Sequence, residues 1–345
     1  MTGTSSILVL DKVARRLGQV AALDGVSLSV GEAQIVCLVG HSGCGKSTLL
    51  RTVAGVERID SGSVTLAGRV VADGTTFIEP EHRHVGFMFQ DYALFPHLTA
   101  AQNIGFGLRA MDRPRREARI GEVVDRLGIG ALAARYPHQL SGGEQQRIAL
   151  ARALAPQPSV LLMDEPFSNL DPGLRDTIRR ETVALIRGLG ITAIIVTHDP
   201  EEALSTGDWL ALMRKGRIVE SGVGEKVYAR PLTAYAASFF SHVNRIPARS
   251  AGDRVESALG AFPAAVTGGK LELLVRPHSL FLSPDGVAAR VVERAFLGEL
   301  EELSLKVEGI DAPLVLRSSL RSGAAVGQTV HLSVKRDEVM VFPAE

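Results

Sequence analysis

The chain has 345 residues, 46% of them hydrophobic and 22% charged. That length accommodates two or more domains with cores of their own, and the composition excludes long disorder. Its 38 basic and 38 acidic residues cancel, so no broad electrostatic attraction to nucleic acid or anionic lipid is expected. Two cysteines, Cys37 and Cys44, are too few for a disulfide framework and fit a reducing compartment. The N-terminus lacks a basic region followed by an apolar core, so no signal peptide is expected. The longest apolar runs are strand-sized, so a membrane role has to run through other chains.

From about Ile7 to Leu66, short apolar or alternating runs broken by glycines predict strands at Ile7–Leu10, Val26–Val30, Ile35–Val39 and Val64–Leu66. Directly after the third comes Gly40-His41-Ser42-Gly43-Cys44-Gly45-Lys46-Ser47-Thr48, which matches the P-loop pattern completely. A helix-prone run, Ser47 to Val56, follows it. Glycines let the backbone curl so that successive N–H groups point at phosphate oxygens beside a helix N-terminus. Lys46 supplies charge to the β- and γ-phosphates, and the Ser47 hydroxyl can ligate Mg²⁺.

From about Thr99 to Ala155 the pattern turns helical. Val160–Met163 and Ile191–Val196 are then continuous apolar runs, as expected of strands covered on both faces. Between them Leu174, Ile178, Leu185 and Leu189 recur at helical spacing, with Gly190 as the stop. Strand, helix and strand imply a parallel sheet. The first strand ends in Asp164-Glu165, at the carboxyl edge where open α/β sheets bind ligands. Asp164 is placed to hold Mg²⁺ and Glu165 to polarise an attacking water. His198 follows the next strand at the same edge, within reach of a γ-phosphate.

After about Ile246-Pro247 the character changes. Short alternating stretches, among them Leu271–Val275 and Leu303–Val307, are separated by Gly- and Pro-containing turns, which predicts a small all-β barrel of the oligonucleotide/oligosaccharide-binding type. Residues 246–345 carry 11 basic and 13 acidic residues, and their aromatics are Phe262, Phe281, Phe296 and Phe342. That is neither a basic groove nor a stacking platform, so nucleic acid is not an expected partner. His242, His278 and His331 lack metal-ligand spacing, so no iron site is expected there.

Leu140-Ser141-Gly142-Gly143-Glu144-Gln145-Gln146-Arg147 resembles the signature of the ABC ATPases. Gln90, in Phe87-Met88-Phe89-Gln90-Asp91, resembles their Q-loop, and Ser168-Asn169-Leu170-Asp171 their D-loop. With the P-loop, the strand-end acids and His198, all six elements stand in family order. The resemblance implies an α/β fold: a P-loop (RecA-like) parallel-sheet core with an N-terminal antiparallel β-subdomain and a helical subdomain over about 95–155, then the OB-like barrel. It sets domains at 1–245, for nucleotide binding, and 246–345, for regulation.

It also implies a dimer in which Ser141, Gly142, Gly143, Gln145 and Asp171 meet the partner's ATP. A helix N-terminus beginning Ser-Gly-Gly has no phosphate to bind within one chain. Gln90 is implied as a nucleotide sensor, joining Glu165 and His198 in catalysis and Ser47 and Asp164 around Mg²⁺. Leu17 stands where family members place an aromatic side chain on adenine, a departure that removes the stacking face.

The whole layout resembles the ATPase subunits of bacterial importers that use periplasmic solute-binding proteins, most of all those for ferric iron. Importers of polyamine, sugar, sulfate or molybdate are alternatives, and an ABC ATPase acting on nucleic acid or ribosomes is an alternative of another class. The implied setting is a homodimer on integral-membrane permeases, at the cytoplasmic face of the bacterial inner membrane. His278, in Arg276-Pro277-His278, falls in a segment these subunits share.

Overall fold

The computed structural model describes residues 6–263 and 270–344. The chain divides into two compact units, the first ending at Gly224 and the second starting at Glu225.

The first unit opens with β1 (Ser6–Leu17) and β2 (Val20–Gly31), a long antiparallel hairpin. β3 (Ile35–Val39) leads into α1 (Lys46–Ala54), and β4 (Ser61–Leu66) and β5 (Arg69–Ala72) return to pair beside β1. The resulting four-stranded sheet, ordered β2-β1-β4-β5, is the antiparallel subdomain expected. Its inner face alternates apolar residues such as Leu8, Leu10, Val26, Leu28 and Val30, which pack in one core with Leu49, Leu50 and Val53 of α1.

β6 (Val85–Met88) precedes a helical segment of α2 (Ala100–Ile104), α3 (Arg113–Arg126) and α4 (Gly142–Leu154). These helices close on their own apolar cluster, including Ile104, Leu108, Val123, Ile129 and Ile148. Then come β7 (Val160–Asp164), α5 (Pro172–Gly188), β8 (Ala193–Thr197), α6 (Pro200–Thr206), β9 (Trp209–Arg214) and β10 (Arg217–Gly222). Gly190 takes the left-handed φ of +63° just past α5, which ends that helix.

The second sheet runs β10-β9-β3-β8-β7-β6 and is parallel except at β10. Every residue of β3, β7 and β8 is buried, which is why these strands read as unbroken apolar runs. Polar side chains on them are confined to the carboxyl ends, and that is where the site lies.

The second unit begins with α7 (Gly224–Ala229) and α8 (Ala234–Phe240), of which α7 starts at the junction. The all-β part follows as β11 (Asn244–Ala251), β12 (Arg254–Ser257), β13 (Gly260–Pro263), β14 (Lys270–Val275), β15 (Leu280–Phe296), β16 (Glu301–Val307), β17 (Leu314–Ser318), β18 (Thr329–Val334) and β19 (Met340–Pro343). Two antiparallel sheets, β13-β12-β11-β14-β19 and β17-β16-β15-β18, share one core that includes Ile246, Leu273, Val291, Leu305 and Leu316. Ala234 and Ala237 of α8 pack on Leu274, which ties the helix to this unit.

One charged residue anchors the P-loop helix. Arg83, in the turn before β6, is 3% exposed, and its Nη1 donates to the carbonyls of Thr52 (2.9 Å) and Val53 (3.0 Å) at the end of α1. Its Nε donates to Ile78 at 2.7 Å. A cation on the last carbonyls of a helix satisfies groups that have no intrahelical partner. Arg83→Met is therefore expected to cost about 2–4 kcal/mol of stability in urea unfolding, because buried carbonyls lose their donors.

Candidate functional site

The loop between β3 and α1 is built from residues that tolerate unusual backbone. Gly45 has φ +109°, and a Cβ there would collide with the carbonyl oxygen of Ala22. Gly40 has a similar obstacle in the carbonyl of Met213. Lys46 is 5% exposed, and its ammonium donates to the carbonyls of Gly40 (2.7 Å) and His41 (3.2 Å). The loop is thus curled around its own lysine. Cys44 is buried beside that lysine, and burial pushes its thiol above the usual range.

Ser47, the second residue of α1, donates from Oγ to Asp164 Oδ1 at 3.0 Å. A hydroxyl from one strand–helix turn and a carboxylate from the end of β7 therefore converge. Burial pushes the Asp164 carboxyl upward, and the Ser47 hydrogen bond partly offsets this.

Next to it Glu165 adopts a left-handed φ of +46°, a conformation that L-residues avoid. Its N–H donates to Val196 at 3.0 Å, and its carbonyl accepts from the Ser168 N–H and hydroxyl. This turns the side chain across the strand ends. Glu165 Oε2 receives Gln90 Nε2 at 3.4 Å and lies 3.1 Å from His198 Nδ1. Gln90 and His198, past the ends of β6 and β8, thus meet on the carboxylate that follows β7.

The Gln90 turn is held from two sides. Asn169 Nδ2 donates to the Gln90 carbonyl at 2.7 Å. Arg152 of α4 donates to the carbonyls of Ala93 (2.6 Å) and Tyr92 (2.8 Å), both residues of positive φ. Arg152 links the Ser141 helix to the Gln90 turn, and sequence reading missed it. An arginine inside an amphipathic helix carries no local mark of a partner 60 residues away.

Ser141, Gln145, Asp171 and Leu17 make their own contacts elsewhere. Ser141 caps α4 in a capping box, with its N–H and hydroxyl both donating to Glu144 Oε2 at 2.8 and 2.9 Å. Gln145 donates from Nε2 to the carbonyls of Pro137 and Leu140, so in this chain its amide anchors the loop before the helix. Asp171 caps α5 by accepting from Gly173. Leu17 is 44% exposed at the tip of the β1–β2 hairpin, opposite Val20 at 67%. That tip offers an apolar surface without an aromatic ring.

A glycine-rich loop curled on its lysine, a hydroxyl–carboxylate pair and a shared strand-end glutamate on a parallel sheet are the arrangement of a P-loop ATPase. The family model described as "ABC transporter" matches residues 23–168, and a TOBE domain model matches residues 273–342. A sulfate/thiosulfate import ATP-binding protein, CysA 2 of Chromobacterium violaceum, is 38% identical over all of this chain and 98% of its own length. The Fe(3+) ions import ATP-binding proteins FbpC 1 of Rhodococcus jostii and FbpC of Pseudomonas fluorescens are 42% and 41% identical, over 93% and 94% of this chain and 94% and 95% of theirs. Among solved structures, cbiO1 from Clostridium perfringens, part of the ABC transporter complex cbiONQ, aligns with a TM-score of 0.60 at 28% identity, over 65% of this chain and 91% of its own. A dimeric ATP-binding cassette in a post-hydrolysis state, bound to ADP and Pi, aligns at 0.54 with 31% identity, over 63% of this chain and 98% of its own. The chain belongs to the ABC transporter family, as an ABC-type ATPase.

Arg152→Ala removes the donors that hold the Gln90 turn. It is expected to leave ATP affinity within about two-fold while lowering kcat about three- to ten-fold, read by nucleotide titration beside steady-state hydrolysis.

Proposed function

We propose that the chain is the ATP-hydrolysing subunit of an ABC importer, a homodimer seated on integral-membrane permeases at the cytoplasmic face of a bacterial inner membrane. Ferric iron is the proposed cargo, delivered to the permeases by a periplasmic solute-binding protein. The observation that carries the hydrolytic half is the convergence of Gln90 and His198 on Glu165, beside the Ser47–Asp164 pair. Support for import comes from the relatives above, all import ATP-binding proteins by name. No helix among the described residues is long and apolar enough to cross a membrane.

In this reading residues Gly40 to Thr48 cradle the phosphates, and Lys46 exchanges the Gly40 and His41 carbonyls for β- and γ-phosphate oxygens. Ser47 and Asp164 suit Mg²⁺ because they bring two hard oxygen donors together, and the amide oxygen of Gln90 would be a third. Mg²⁺, when bound, neutralises charge on the β- and γ-phosphates. Glu165 orients and deprotonates the attacking water, and His198, beside it, donates to the γ-phosphate. Ser141, Gly142, Gly143 and Gln145 at the start of α4, with Asp171, face the partner subunit's nucleotide, and Leu17 packs on adenine.

An apolar groove of about 340 Å³, lined by Phe87, Phe89, Phe95, Phe106 and Arg152, adjoins the Gln90 turn and suits a permease helix. Functionally, residues 1–245, with the helical part at 95–155, form the ATPase domain, and residues 246–345 a regulatory domain.

Sulfate or thiosulfate is the second reading for the cargo, favoured by the relative that matches the whole chain. Reconstitution in vesicles with the permeases separates the two: hydrolysis stimulated by an iron-loaded binding protein and not by a sulfate-loaded one supports iron, and the reverse overturns it. Glu165→Gln is expected to bind ATP, accumulate as a closed dimer on light scattering, and lose at least about 100-fold in kcat. Hydrolysis at the normal rate would remove Glu165 from the chemistry. Leu17→Tyr is expected to bind ATP at least as tightly as the unaltered chain in a nucleotide titration.

A further inference from the structure

Beside Glu165 and His198 lies a small cavity of about 70 Å³, whose wall also includes Arg175, Thr197, Asp199 and Glu202. Two of these residues carry a buried polar atom with no hydrogen-bond partner among the described residues, Glu202 Oε1 and Arg175 Nε. Burying such atoms is costly unless a partner is supplied, and a buried water takes roughly 30 Å³. The wall therefore offers an acceptor, a donor and room for water.

Glu202 is only 6% exposed, on the first turn of α6. The Thr197 side chain stands close enough to favour its ionised form. Thr197 Oγ1 in turn accepts the Asp199 N–H at 3.0 Å. Asp199 Oδ1 caps the helix by accepting the N–H groups of Glu201 (2.8 Å) and Glu202 (3.2 Å). Both neighbours of His198 are thus pinned to the turn that carries Glu202. On the other side Arg175, in the first turns of α5, donates to the Leu170 carbonyl at 3.3 Å, just ahead of Asp171.

We propose that Glu202 is a positioning residue for hydrolysis: its buried carboxylate, in the cavity wall it shares with Thr197 and His198 and linked to Arg175 through water there, locks the His198 turn to the segment that precedes α5. The proposal rests on the reading of His198 as a phosphate-contacting residue. It gives the structure a reason to bury an acid where an amide or a leucine would be cheaper to bury. The charges around Glu202 are mixed. Asp199 on its own turn opposes its ionisation, while Arg179 and Arg175 on α5 favour it. Glu165 and His198 face it across the cavity, and the buried Cys37 thiol of β3 also senses its charge. Burial is the largest influence and pushes the carboxyl up to about 7. Below that pH Glu202 is largely protonated and resembles glutamine; above it the carboxylate can accept from both partners.

The test compares Glu202→Gln with the unaltered chain across pH. KM is expected to stay within about two-fold, with kcat about ten-fold lower at pH 8 and less than about three-fold lower at pH 6. In a His198→Ala background, adding Glu202→Gln is expected to lower the residual rate by less than about two-fold, because Glu202 acts through that turn. Arg175→Gln, on a half-buried side chain, is expected to reproduce the kcat loss and stands in should Glu202→Gln unfold. A rate ratio independent of pH, or additive losses in the double variant, overturns the proposal. If His198→Ala is slow but Glu202→Gln is not, the positioning role alone falls. If His198→Ala hydrolyses normally, the reading of His198 falls and takes the proposal with it.

Discussion

The position of Glu165 is set by its backbone before its side chain meets anything. A left-handed conformation costs about 1–3 kcal/mol and persists only where its surroundings impose it. Here β7 pairs in parallel with β8, and the ladder continues one residue past the strand as the Glu165 N–H donates to Val196. Ser168 then closes the turn from the other side. The carboxylate is left projecting over the sheet edge, where residues ending β6 and β8 can reach it. Loosen that turn and Gln90, Glu165 and His198 are three unrelated side chains.

The elements that a local pattern specifies were legible. Buried strands of a parallel sheet are apolar throughout, so Ile35–Val39, Val160–Met163 and Ile191–Val196 stood out, and so did the polar residues that end them. The P-loop was legible for a related reason: Gly40 and Gly45 answer to collisions with the Met213 and Ala22 carbonyls that no other residue avoids. The signature was read as a helix start, and Ser141 does begin α4 with a capping box.

What stayed hidden depends on side chains that reach across the fold. Arg83, Arg152 and Arg175 each donate to backbone carbonyls, and a carbonyl leaves no trace in the sequence that would identify its partner. Glu202 looks like an ordinary first-turn glutamate complementing a helix dipole, since only tertiary packing buries it. Gln145, read from its motif, also bonds the loop before its helix through its amide, a contact the motif does not announce. Helix α8 falls in the second compact unit, where Ala234 and Ala237 bury against Leu274, a contact between segments far apart in the chain.

In the proposed role of Lys46 at the phosphates, its bonds bear on how binding energy is divided. An ammonium that already donates to two carbonyls meets a phosphate by trading acceptors, so each new contact yields the difference between two hydrogen bonds. A loop shaped in advance around its own lysine spends little on ordering, yet gains only modest affinity from that lysine. The charge contributes most where negative charge grows, on the oxygens between the departing phosphoryl group and ADP. Lysine at this position favours the reacting nucleotide over the resting one, and an ATPase that must release its product every cycle depends on that bias.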